Sequence, residues 1–125
     1  MKKKLISKLK YLGIDGNLQV IVDTDEDWTT VYLKGDRPAL LSLARLATEL
    51  ANVDQTKLEA LSAGSCEHVH LQPDLDLAAN SSELVIGRLD DKRGRFGDAF
   101  VKRKRKKART ITNIWEMEAA SNKNA

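Results

Sequence analysis

Hydrophobic positions along this chain change their period twice, and the changes mark out its elements. In "NLQVIVD", residues 17–23, Leu18, Val20 and Val22 alternate with Gln19, Ile21 and Asp23, the period-two pattern of a strand. "TDED" then supplies a charged turn. Alternation resumes in "WTTVYLKG", with Val31 and Leu33 on one face and Tyr32 on the other. The two runs predict a hairpin whose connection, around residues 23–27, is acidic.

A helical period follows. Gly35 ends the second strand and Asp36 is placed to cap a helix. Pro38 is tolerated in the first turn, where main-chain amides have no intrahelical partner. From Ala39 onward, Leu40, Leu43, Ala44, Ala47, Leu50 and Ala51 recur at helical spacing, and Leu46 widens the stripe. The pattern predicts a helix over residues 37–52, with Leu40, Leu43, Ala47 and Leu50 mainly buried. The connection "NVDQTKLEALSAGS" has room for another short helical turn. Alternation returns in "CEHVHLQ" and again in "SSELVIGRLD", where Leu84 and Ile86 share one face and Val85 and Leu89 the other. Pro73 and residues 80–82 mark the turn between these runs.

The expected class is α+β: a small, largely antiparallel four-stranded sheet packed by one main helix, with basic terminal extensions. The order ββαββ occupies residues 15–91, between an N-terminal extension at 1–14 and a C-terminal one at 92–125. Such an arrangement buries one sheet face beneath the helix and leaves the other for a partner. Near the C-terminus, "RTITNIWEM" carries Ile111, Ile114 and Trp115, compatible either with joining the core or with a separate contact segment.

Composition changes this picture in one respect. The 125 residues carry a formal net charge of +3, but the signs are segregated. Residues 1–10 hold five lysines and no acid, residues 11–91 five basic and 15 acidic residues, and residues 92–109 ten basic and one acidic. An acidic middle therefore stands between basic ends. The one cysteine excludes an internal disulfide. Lysines interrupt the apolar part of "MKKKLISKLKYLG", so no signal-peptide core follows, and cytoplasmic residence is expected. Leu5, Ile6, Leu9 and Leu12 make at most a short amphipathic run, so stable membrane association is not expected.

Candidate chemistry centres on "GSCEHVHLQPDLD". An extended strand would project Cys66, His68 and His70 to one face, with Asp74 or Asp76 available to complete a zinc set if the turn folded back. Residues two apart on a strand do not converge on an ion, and no elbow or oxyanion donor accompanies the thiol. No metal, no cofactor and no catalytic residue are therefore assigned. The acidic connection lacks the spacing of a calcium loop, so Asp25, Glu26 and Asp27 read as a solvated turn or a partner-binding patch. Trp28 and Tyr32 are the aromatic anchors beside them, and His68 and His70 are further contact candidates. In the basic run, Arg95, Lys102, Arg103, Lys104, Arg105, Lys106, Lys107 and Arg109 are suited to neutralising phosphates, with Phe96 or Phe100 available for base stacking. A nucleic-acid-associated accessory role is the alternative function.

Taken together, "VYLKGDRPALLSLARLATELA", "GSCEHVHLQP" and "SSELVIGRL" resemble the bacterial immunity protein 32 family of polymorphic-toxin systems, over roughly residues 17–90. Gly35 and Asp36 entering the helix, His68, His70 and Leu71, and Ser82, Glu83 and Leu84 carry the resemblance. It implies a compact sheet-and-helix fold and a non-enzymatic protein that neutralises a cognate toxin by surface complementarity. An acidic loop would suit the basic substrate-binding surface of a nuclease toxin.

Overall fold

The computed structural model describes residues 5–10 and 13–104. Element order is β1 (Leu18–Thr24), β2 (Thr29–Gly35), α1 (Arg37–Asn52), a 3-10 turn at Gln55–Lys57, β3 (His68–Leu71) and β4 (Leu84–Gly87). The α+β class and every predicted element are present.

One residue, Asp36, joins β2 to α1 and fixes how the two meet. Its Oδ1 accepts the N–H of Ala39 at 3.1 Å, capping the helix. The same carboxylate accepts the main-chain and side-chain N–H groups of Asn17 at 3.0–3.1 Å, tying the entry of β1 to the helix start. Gly16 sits at φ +73, and a Cβ there would collide with Asp36 Oδ1. A residue with a side chain would be strained at that backbone conformation and would also obstruct the cap.

The four strands form two two-stranded antiparallel sheets, where one four-stranded sheet was expected. β1 pairs with β2 from Leu18↔Gly35 to Thr24↔Thr29, and β3 with β4 from His68↔Gly87 to Leu71↔Leu84. Between them lies an irregular seam. Ala78 N–H donates to Leu18 O and Ser82 N–H to Val20 O, both at 2.8 Å, while Ser81 Oγ accepts the N–H of Val20 at 3.1 Å. From one bond to the next, the chain advances from 18 to 20 along β1 but from 78 to 82 along the turn. That mismatch prevents a continuous ladder, although it supplies partners to the edge of β1 at Leu18 and Val20.

The core contains Leu18, Val20, Ala39, Leu46, Leu50, Leu71 and Leu77, with Leu9, Ile14, Leu43, Val69, Leu84 and Ile86 packed at its margin. The buried stripe of α1 is Ala39, Ser42, Leu46 and Leu50, which corrects the expected one. Leu50 is buried as expected and Leu43 is half-buried, but Leu40 is 47% exposed and Ala47 is exposed. At about 100° per residue, Leu40, Ala44 and Ala47 lie on the helix flank. A Cβ on Gly35 would stand 3.2 Å from that of Ala39. Leu40 Cγ stands equally close to that position, so the helix start meets the base of β2 through both residues, with Leu40 packed on one side and open to solvent on the other.

Residues near the N-terminus join this core. Ile6 forms a one-residue parallel bridge with Val53, donating to Asn52 O at 2.8 Å and accepting from Asp54 N–H at 2.7 Å. Among the described residues, no helix is long and apolar enough to cross a membrane.

Candidate functional site

The β1–β2 hairpin projects its acidic connection beyond the core. Buried Leu18 and Val20 sit at its base, whereas every residue from Val22 to Lys34 is exposed. At the tip, Asp25 builds the turn. Its Oδ1 accepts the N–H groups of Trp28 at 2.8 Å and Asp27 at 2.9 Å, and its own N–H donates to Trp28 O at 2.9 Å. These bonds, first that from Trp28 and then that from Asp27, hold the Asp25 carboxyl below the usual carboxylate range. Asp25 is therefore an ionised structural member of the tip. Glu26 and Asp27 add acidic charge beside it, and Trp28 stands 74% exposed.

Tyr32 lies on the opposite face of β2 from Val31 and Leu33, paired with Ile21 and 44% exposed. Lys34, two residues on, places Nζ 5.5 Å from its ring centroid, an exposed cation–π contact. Asp25, Glu26, Asp27, Trp28 and Tyr32 are all exposed on this one hairpin.

The histidines stand on the other sheet. β3 alternates so that Val69 and Leu71 face the core while His68 and His70 are exposed. His68 Nδ1 lies 2.9 Å from Cys66 O; a carbonyl can only accept, so Nδ1 carries the proton there. His70 Nδ1 meets Glu83 Oε1 at 2.8 Å, a half-exposed pair. The rings are 5.0 Å apart, edge to face. Cys66 precedes β3, and its thiol donates to Leu89 O at 3.8 Å. The expected row of three is thus engaged with separate acceptors. No group of three or more His, Cys, Asp or Glu among the described residues is arranged to hold a metal ion. No hydrogen bond, ion pair or ring contact joins the histidines to the hairpin tip among the described residues.

Of the basic candidates, Arg95, Lys102, Arg103 and Lys104 are exposed. Arg105, Lys106, Lys107 and Arg109 lie outside the described residues, as do Ile111, Ile114 and Trp115. Phe96 and Phe100 stack on one another at 4.8 Å with a tilt of 42°. The start of the basic run turns inward: Lys92 Nζ donates to Leu58 O at 2.7 Å and Leu61 O at 3.0 Å, and Lys92 N–H to Ser65 O at 3.1 Å.

Three polar side chains absent from the sequence-based reading organise the middle of the chain. Lys92 is one. Buried Gln55 donates from Nε2 to Asp90 O and Asp91 O and accepts Glu67 N–H at 2.7 Å. Arg88 donates to Leu50 O and Val53 O at the end of α1 and pairs with Asp90. Their long, multivalent heads reach main-chain oxygens. Their only sequence signal is a polar side chain beside apolar runs.

Residues 30–89 match the family model for immunity protein 32. The stretch spans most of β2, α1, β3 and β4, and over it the resemblance read from the sequence is borne out. The match points to an immunity function. No curated protein and no solved structure matched the chain.

Proposed function

Taking the immunity protein 32 match over residues 30–89 as premise, we propose that this chain is a non-enzymatic immunity factor that binds and neutralises a cognate bacterial toxin. The β1–β2 hairpin makes the principal contact. The observation that carries this assignment is Trp28, 74% exposed on an acidic tip already ordered by the hydrogen bonds to Asp25. A large aromatic held out on a preformed loop binds with little further ordering cost. Glu26 and Asp27 supply charge complementary to a basic toxin surface, such as the substrate cleft of a nuclease, and steer the encounter. Tyr32 extends the contact along β2, and His68 and His70 offer a second exposed set on β3.

Neutralisation by occlusion needs no reactive group in the inhibitor, consistent with the separate hydrogen-bonding roles of Cys66, His68 and His70. The basic run at Arg95 and residues 102–109 serves electrostatic association or localisation. In the alternative function, that run binds nucleic acid as an accessory protein, with exposed Lys102, Arg103 and Lys104 at phosphates.

Capture of partners on the full chain from the native cell, followed by expression of each recovered protein in a sensitive host, tests the reading. A toxic partner is expected whose toxicity is blocked by the intact chain and unblocked by Trp28→Ala. Protection that survives both Trp28→Ala and reversal of Glu26 and Asp27 would move the interface elsewhere. Absence of any toxic partner, together with salt-sensitive binding to nucleic acid, would favour the accessory role.

A further inference from the structure

Among the described residues the outer edge of β2 is open, and its parity follows from two bonds flanking the hairpin. Asp36 N–H donates to Asn17 O at 3.1 Å and Asp25 N–H to Trp28 O at 2.9 Å. Bonded pairs in an antiparallel ladder recur every second residue, so Gln19↔Lys34, Ile21↔Tyr32 and Asp23↔Thr30 exchange bonds within the hairpin. The amides and carbonyls of Thr29, Val31, Leu33 and Gly35 consequently point away from β1. The opposite edge of β1 agrees: Leu18 and Val20 are the residues bonded there by residues 78–82. No main-chain bond outside the ladder involves Thr29–Gly35 among the described residues.

This edge carries little protection. It has seven residues, no proline and one charge, Lys34, whereas exposed edges are commonly blunted by proline, bulges or several charges. Its core-side face is apolar and, among the described residues, uncovered, with Val22 46%, Val31 58% and Leu33 43% exposed.

We infer that a second copy of this chain pairs with that edge, β2 against β2, antiparallel about a two-fold axis through Tyr32. The strand is complementary to itself in this register. Thr29 meets Gly35 of the other copy and Val31 meets Leu33, so outward amides face outward carbonyls along the whole strand. The pairs Val31–Leu33 and Leu33–Val31 cover the apolar face. Beyond the strand ends, Asp27 of each tip comes opposite Arg37 of the other copy. Both are exposed, and neither has an ion-pair partner among the described residues. The axis repeats each contact, as a closed isologous dimer requires. The inference shares Asp27 and Tyr32 with the proposed toxin contact but does not rest on that assignment, and its test reads self-association alone.

Sedimentation of the full chain over the micromolar to submillimolar range, with amide exchange at both ends of that range, is the test. A reversible dimer is expected, with slow exchange at Val31 and Leu33 only when concentrated. Val31→Pro removes an outward amide without touching the β1 ladder and should give a monomer with unchanged circular dichroism. Asp27→Arg and Arg37→Asp should each weaken the dimer roughly tenfold, and together restore it. These exposed positions keep the test valid if Val31→Pro fails to fold. A monomer throughout the range overturns the inference. So does a dimer indifferent to the charge exchange, or protection of Val31 and Leu33 independent of concentration, which would mean that the chain covers its own edge.

Discussion

Arg88 Nη1 donates to the main-chain oxygen of Leu50 at 3.0 Å, bridging 38 positions of sequence to satisfy the end of α1. The same nitrogen reaches Val53 O at 2.8 Å, and Asp90 holds the guanidinium through Nε and Nη2. A helix end has unsatisfied carbonyls, and here a side chain from beyond β4 provides the donor. The last strand and the helix are thereby linked through a polar contact as well as through the core.

Replacing Arg88 by Met keeps much of the apolar stem but removes every donor. Leu50 O, Val53 O and the Asp90 carboxylate lose their shared partner, so a loss of about 1–3 kcal/mol is expected. Urea unfolding of the two proteins measures it; equal midpoints would show that water replaces the guanidinium without cost.

Leu46 and Leu40 are six residues apart on one helix and predict opposite outcomes. Leu46→Ala empties a site only 3% exposed and should cost about 2–5 kcal/mol. Leu40→Ala, at a site 47% exposed, should cost under about 1 kcal/mol in the monomer. Denaturant midpoints decide the order, and the reverse order would contradict the observed rotation of α1.

Stability should be level near neutrality and fall in acid. Asp36 is held below the usual carboxylate range, chiefly by the Asn17 side chain and then by the Asn17 and Ala39 amides. Asp90 is lowered chiefly by the Arg88 hydrogen bonds. For a depressed carboxylate, the stabilisation is fully present above the unfolded value of about 3.9 and is lost as pH falls through the lower folded value. Thermal unfolding from neutrality down through that region should show the decline, and Asp36→Ala should flatten it. A decline beginning near neutrality would instead implicate other groups.

Trp28→Ala should leave the unfolding transition in place, because the ring is largely in solvent. Binding of the cognate toxin should weaken by about 2 kcal/mol or more, the scale of an interface hot spot. Calorimetry with the toxin, beside thermal unfolding of the free protein, separates the two effects.

The bounds of α1, its Asp36 cap, the hairpin and the shared face of Leu84 and Ile86 followed from sequence alone. Each depends on neighbours within a few residues, where backbone geometry imposes a period of about 3.6 or two. The chemistry of the tip was equally legible, since acids and an aromatic beside a turn are local. Tertiary structure decided the rest. It divided the strands into two sheets because residues 78–82 advance too quickly to continue the β1 ladder. It set the rotation of α1, which buries Ser42 and Leu46 and leaves Leu40 against Gly35 at the rim of the contact, 47% exposed. It gave Gln55, Arg88 and Lys92 their roles through main-chain oxygens some 31–38 positions away. Every residue carries such an oxygen, so side-chain identity alone does not specify which ones these donors will reach.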